Sequence, residues 1–116
     1  MILFNENHQK KRFFYRNKEA YLQAKEHTPN YHVYIVECQD GSYYTGFTED
    51  LIKRITEHKM GNGAKYTQRN GFKRLVYFES HSEKEQALKR EKEIKEAGKV
   101  YKKIIITEFQ KNLLLL

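Results

Sequence analysis

Two short runs rich in β-branched and aromatic residues, Tyr31 to Val36 and Ser42 to Phe47, stand either side of Gln39-Asp40-Gly41. No other feature constrains the fold as strongly. Such side chains suit a pleated, half-buried surface, and Asp-Gly suits a tight turn, so the pair reads as a β-hairpin. A lone hairpin is marginal in water, so the rest of the chain must cover it. Two turns are open. A two-residue Asp-Gly turn pairs Gln39 with Ser42 and sends Tyr34 and Tyr44 to opposite faces. A three-residue loop with Gly41 left-handed pairs Cys38 with Ser42. Val36 then lies opposite Tyr44, with Tyr34 diagonal to it on the same face. The three-residue loop is the expectation.

The covering elements follow. Thr48 can cap a helix whose first turn holds Glu49 and Asp50, with Gly61 at its C′ position. Gly61 to Gly71 reads as a polar loop, and Lys73 to Glu79 as a third strand. Ser82-Glu83-Lys84-Glu85 reads as a capping box opening a second helix that Gly98 ends or bends. Tyr101 to Leu116 reads as a helix, although Ile104-Ile105-Ile106 also allows a strand. The order β-β-α-β-α-α predicts an α+β domain, a small three-stranded antiparallel sheet flanked by helices. Thr28-Pro29-Asn30 divides this unit from a basic, aromatic extension over residues 1–30, partly helical around Lys18 to Glu26. The expected division is 1–30, a domain over 31–105, and a helical tail over 106–116.

The chain has 116 residues, room for one ordinary domain. Its 22 Lys and Arg against 15 Asp and Glu leave a formal charge of +7, which favours a polyanionic partner. The single Cys38 excludes an internal disulfide and a multi-cysteine zinc site, so a reducing, cytoplasmic setting is expected. No apolar run approaches the roughly 20 residues that span a bilayer, so no membrane partner is expected.

Both main helices carry polar residues where apolar ones belong. A helix turns about 100° per residue. In the second helix, measured from Ala87, Leu88 falls at about +100°, Ile94 at about −20° and Ala97 at about −80°. Glu91, at about +40°, lies inside that buried arc. An unpaired buried carboxylate is costly, so Glu91 is either in an ion pair or a metal ligand, and the helix by itself favours the ion pair. In the first helix Arg54 and His58, four apart, share one edge of the stripe. They are either a basic pair lying over apolar surface or a cationic corner for a phosphate.

The ordered set His32-Val33-Tyr34, Tyr44-Thr45-Gly46, Arg54, His58, Gly63-Ala64-Lys65-Tyr66-Thr67, Arg74-Leu75-Val76-Tyr77 and Ala87-Leu88-Lys89-Arg90-Glu91 resembles the GIY-YIG endonuclease superfamily. The combination resembles its small stand-alone branch, related to the N-terminal incision domain of bacterial UvrC. The resemblance implies hydrolysis of DNA phosphodiesters with Mg²⁺ or Mn²⁺, in DNA repair or recombination. By position, Tyr34 and Tyr44 match the two motif tyrosines, Arg54 the helix arginine, His58 the His/Tyr position one turn later, and Glu91 the metal-binding glutamate. Tyr34 is then the first choice for general base. His58 accepts a proton or orients a tyrosine, and Tyr44 positions water or shares the base role.

Lys65 and Tyr66 either sit on a loop that closes over the site or belong to a solvated basic loop; with Arg69 they are the expected nucleic-acid-binding residues, on branched or single-stranded DNA among other forms. Lys10 to Arg16 either tracks a nucleic-acid backbone or forms a helix over exposed core. The sequence departs from the family pattern at His32, Val33 and Thr45. Phe47 stands where some members carry Lys, and no Asn clearly matches the one some members place after the glutamate. The competing reading is a non-catalytic nucleic-acid-binding module, for DNA, RNA or the ribosome. A third is a protein-interaction domain docking through Leu113 to Leu116.

Overall fold

The computed structural model describes residues 30–114. The expected helix at 18–26 and the basic segment at 10–16 lie outside the described residues. Strands β1 (Tyr31–Cys38) and β2 (Tyr43–Thr48) form the hairpin. Helix α1 (Leu51–Lys59), a short α2 (Lys65–Asn70) and strand β3 (Phe72–His81) follow. Helices α3 (Lys84–Ala97) and α4 (Lys99–Leu114) complete the fold. The sheet is antiparallel throughout, in the order β2-β1-β3. The architecture is α+β, as expected.

The turn is the three-residue loop. Cys38 N–H donates to the Ser42 carbonyl at 2.8 Å, and Gly41 N–H donates to the Cys38 carbonyl at 2.9 Å. Gly41 has φ +86°, a conformation that glycine adopts without strain. Val36 therefore pairs with Tyr44 and Tyr34 with Gly46. Tyr34 pairs with Phe78 on the other side.

His32 through Val36 are all buried, so the central strand β1 is covered on both faces. The core joins Val33, Ile35 and Val36 to Leu51, Ile55, Leu75, Phe78, Ala87 and Ile94. It extends into α4 through Ile106, Phe109 and Leu113. The Phe109 ring lies 5.2 Å from Tyr77 and 5.5 Å from Phe78. Helix α4 thus runs through residue 105 without a break, and the residues beyond 105 fill the core.

Several local expectations are corrected. Asp50, not Thr48, caps α1, accepting from Lys53 N–H at 3.1 Å. Thr48 is still paired to His32 in β2, and its hydroxyl oxygen accepts from Asp50 N–H instead. The Gly61–Gly71 stretch is not all loop, because Lys65 to Asn70 are helical. β3 begins a residue earlier than expected, at Phe72, and ends two later, at His81. No capping box forms at α3: Glu83 is the N-cap and makes no side-chain cap bond.

The α3 stripe is also narrower than the wheel implied. Ala87 and Ile94 are buried, Ala97 is exposed and Leu88 is 40% exposed. Arg90 is half-buried beside the stripe, where it donates to Glu79 at 3.1 Å and to the Tyr101 hydroxyl at 3.0 Å. Glu79 also accepts from the Tyr77 hydroxyl, so this ion pair ties α3 and α4 to β3.

Candidate active site

The hairpin register puts Tyr34 and Tyr44 on one face, with ring centroids 6.3 Å apart. Helix α1 delivers His58 to the same place. Its buried residues are Leu51, Ile55 and His58, so the imidazole sits on the core stripe. His58 is 2% exposed, which rules out a charge lying in solvent over apolar surface. Its ring centroid lies 5.6 Å from Tyr34 and 5.5 Å from Tyr44. The Tyr34 hydroxyl and His58 Nε2 form a buried 2.8 Å hydrogen bond.

Two glycines make room for these rings. A Cβ on Gly46 would fall on the Tyr34 hydroxyl, and one on Gly63 would fall on His58 Nδ1. Glycine is needed at each because a ring occupies the space of a side chain, not because of backbone conformation.

Arg54, one turn before His58, is half-buried. Its Nη1 donates to Glu57 at 2.9 Å, and its guanidinium lies beside the Tyr34 phenol. Burial opposes the Arg54 charge, but hydrogen bonds to Glu57 and Tyr34 outweigh it and hold its pKa above the ordinary value. Burial pushes the Tyr34 phenol well above 10, with smaller upward pushes from Tyr44 and Glu91, while Arg54 opposes them. Burial, helped by the Arg54 charge, pushes His58 down to about 4, so its imidazole is neutral at pH 7. Two groups of the site are therefore uncharged and hydrogen-bonded to each other.

Glu91 approaches from α3, near enough for its charge to act on the Tyr34 phenol. It is 18% exposed, and its Oε2 lies 3.1 Å from Lys95 Nζ, one turn on. Among the described residues no group of three or more His, Cys, Asp or Glu could hold a metal ion. Glu91 is the carboxylate whose charge reaches the Tyr34 phenol, and a single carboxylate is a sparse donor set. It suits a hard divalent cation that keeps most of its waters and takes further oxygens from a phosphate, and it would bind such an ion weakly alone.

Tyr66 stacks on Tyr44, with centroids 5.9 Å apart and planes 26° from parallel. Lys65 and Arg69 are exposed, four residues apart on α2. Sequence reasoning missed Thr67 on the same helix. It is 2% exposed, and its Oγ1 lies 2.8 Å from His58 Nδ1. The Ala64-Lys65-Tyr66-Thr67 string was visible, but a six-residue helix is too short for periodicity to mark its inner face.

These residues, spread over β1, β2, α1 and α3, lie within a region that a family model matches. Residues 30–109 match the GIY-YIG catalytic domain. A UPF0213 protein of Halobacterium salinarum is 43% identical over 75 residues, which cover 65% of this chain and 97% of that protein. One from Staphylococcus saprophyticus is 47% identical over 78 residues, covering 67% and 95%. The solution NMR structure of a UPF0213 protein from Bacillus halodurans is 44% identical, covers 66% of this chain and 82% of that one, and superposes with a TM-score of 0.45. Among the described residues no helix is long and apolar enough to cross a membrane. The match over 80 consecutive residues, carrying both tyrosine motifs, the arginine, the histidine and the glutamate in order, means that the chain belongs to the GIY-YIG superfamily.

Proposed function

We propose that this protein is a divalent-metal-dependent endonuclease that hydrolyses DNA phosphodiester bonds, by nicking or structure-directed cleavage. The buried Tyr34–His58 hydrogen bond, with Arg54 beside it, carries the reading. Hydrolysis needs an activated water and charge neutralisation around phosphorus. A phenol with a raised pKa does not stand as a phenolate in the free protein. It can relay: a water proton passes to the Tyr34 oxygen as the Tyr34 proton passes to His58 Nε2. The water oxygen bonds to phosphorus, the ester bond breaks, and the leaving oxygen becomes a hydroxyl with a proton from solvent.

Arg54 holds the non-bridging oxygens. A phosphodiester there offsets the charge that depresses His58, which raises the basicity of the acceptor as substrate binds. Tyr44 stacks against the relay and orients the water. Glu91 is the residue that would hold Mg²⁺ or Mn²⁺, which when bound neutralises charge on the phosphate. Lys65 and Arg69 pair with backbone phosphates, and the Tyr66–Tyr44 stack forms one wall of the site. The lone buried Cys38 fits action in a reducing cytoplasm, and repair or recombination is the process that such cutting serves.

Single-stranded, duplex and branched DNA incubated with Mg²⁺ or Mn²⁺ tests the reading. Cleavage that disappears in Glu91→Ala and Arg54→Ala supports it. The competing reading, a non-catalytic nucleic-acid-binding module, draws on the Glu91–Lys95 ion pair. Salt-sensitive binding that Glu91→Ala leaves intact, with no product under either metal, would establish that module instead.

A further inference from the structure

Thr67 reaches no solvent-facing part of the site, yet its hydroxyl has two partners. Oγ1 donates to the Ala64 carbonyl at 2.9 Å and lies 2.8 Å from His58 Nδ1. A carbonyl oxygen only accepts, and a hydroxyl has one hydrogen. That hydrogen is taken by Ala64, so the hydrogen between Thr67 and His58 belongs to Nδ1. A neutral imidazole carries one N–H, which leaves Nε2 bare and facing the Tyr34 hydroxyl at 2.8 Å.

We propose that Thr67, anchored on the Ala64 carbonyl, is a positioning residue that fixes His58 as the Nδ1–H tautomer and thereby makes Nε2 the proton acceptor for Tyr34. The opposite tautomer would need Thr67 to donate to Nδ1, which breaks its bond to Ala64. Gly63 contributes by leaving space at the same edge of the ring, where a Cβ would strike Nδ1. Helix α2 therefore sets the direction of a proton relay between α1 and β1 without touching the reacting atoms.

The inference rests on the nuclease reading for its purpose, but the tautomer is a property of the resting protein. The test is NMR of the full chain with ¹⁵N-labelled histidine at pH 7, with His58 assigned by the signals lost in His58→Gln. We expect Nδ1 protonated and Nε2 bare in the natural chain and in Thr67→Ser. In Thr67→Val, of similar shape but without the acceptor, the hydrogen redistributes to Nε2. Nε2–H in the natural chain overturns the proposal, as does Nδ1–H retained undiminished in Thr67→Val. Should Thr67→Val fail to fold, Thr67→Ala, which also lacks the hydroxyl, carries the same expectation and the same refutation. In the cleavage assay, Thr67→Val lowers kcat roughly 10- to 100-fold with KM unchanged, and Thr67→Ser recovers most of the rate. If the natural chain cuts no DNA, the nuclease reading fails while the tautomer measurement stands.

Discussion

The Tyr34 hydroxyl and His58 Nε2 meet at 2.8 Å in the interior, although one residue comes from the central strand and the other from the helix 24 positions later. Both are uncharged at neutral pH, and each occupies space that a glycine leaves open.

Burial of the His58 imidazole, with the Arg54 charge nearby, makes stability depend on pH. The folded value of His58 is about 4 and its ordinary value 6.5, so the unfolded chain takes up the proton first as pH falls. The stabilisation is complete above about pH 6.5 and is lost progressively toward about pH 4. The shift corresponds to on the order of 3 kcal/mol. Urea midpoints measured across that range should fall with pH, and His58→Gln should flatten the slope. Arg54→Ala should raise the His58 pKa in an NMR titration, because it removes a positive neighbour.

Gly46→Ala puts a methyl group on the Tyr34 hydroxyl. The ring must move, at a cost of about 1–3 kcal/mol. Cleavage should fall much further than this loss of stability accounts for, because the Tyr34–His58 bond is broken. Gly63→Ala should act likewise through His58. Thermal melts and cleavage rates on the same preparations check both.

Tyr34→Phe removes the hydroxyl and leaves Nε2 of a buried histidine unpaired, costing about 1–3 kcal/mol. DNA affinity, supplied by the basic surface, should stay near that of the natural chain while most of the cleavage rate is lost. Binding titrations beside single-turnover cleavage separate the two. Weakened binding in proportion to the lost rate would contradict the role given to Tyr34.

Phe109→Ala should destabilise by about 3–5 kcal/mol, since Phe109 is buried against Tyr77 and Phe78. Chains ending at residue 105 should lack a cooperative unfolding transition, as circular dichroism in urea would register. A folded chain of that length would show that the part of α4 beyond residue 105 is dispensable to the core.

Some features were legible in the residues because they depend on neighbours close in sequence. Gln39-Asp40-Gly41 marked the hairpin but allowed two loops; in the three-residue loop that forms, Tyr34 and Tyr44 share a face because strand side chains alternate with period two. The spacing of Leu51, Ile55 and His58 put the histidine at the edge of the apolar stripe, and packing buried it. Other features depended on contacts between distant segments. Thr48 is a competent cap by residue type, but strand pairing to His32 keeps it in β2, and Asp50, expected in the first turn, caps α1. Helix α2 has too few turns to announce itself and is held from outside, by Tyr66 on Tyr44 and Thr67 on His58. The wheel of α3 placed Leu88 inside, but Leu88 is 40% exposed while Ala87 and Ile94 are buried, and Arg90 pairs with Glu79 beside the stripe. Sequence alone thus determined the hairpin and the apolar stripe on which His58 lies. Only the tertiary structure decided which nitrogen of that histidine meets the phenol, because hydrogen bonds form between groups brought together by packing, not by chain order.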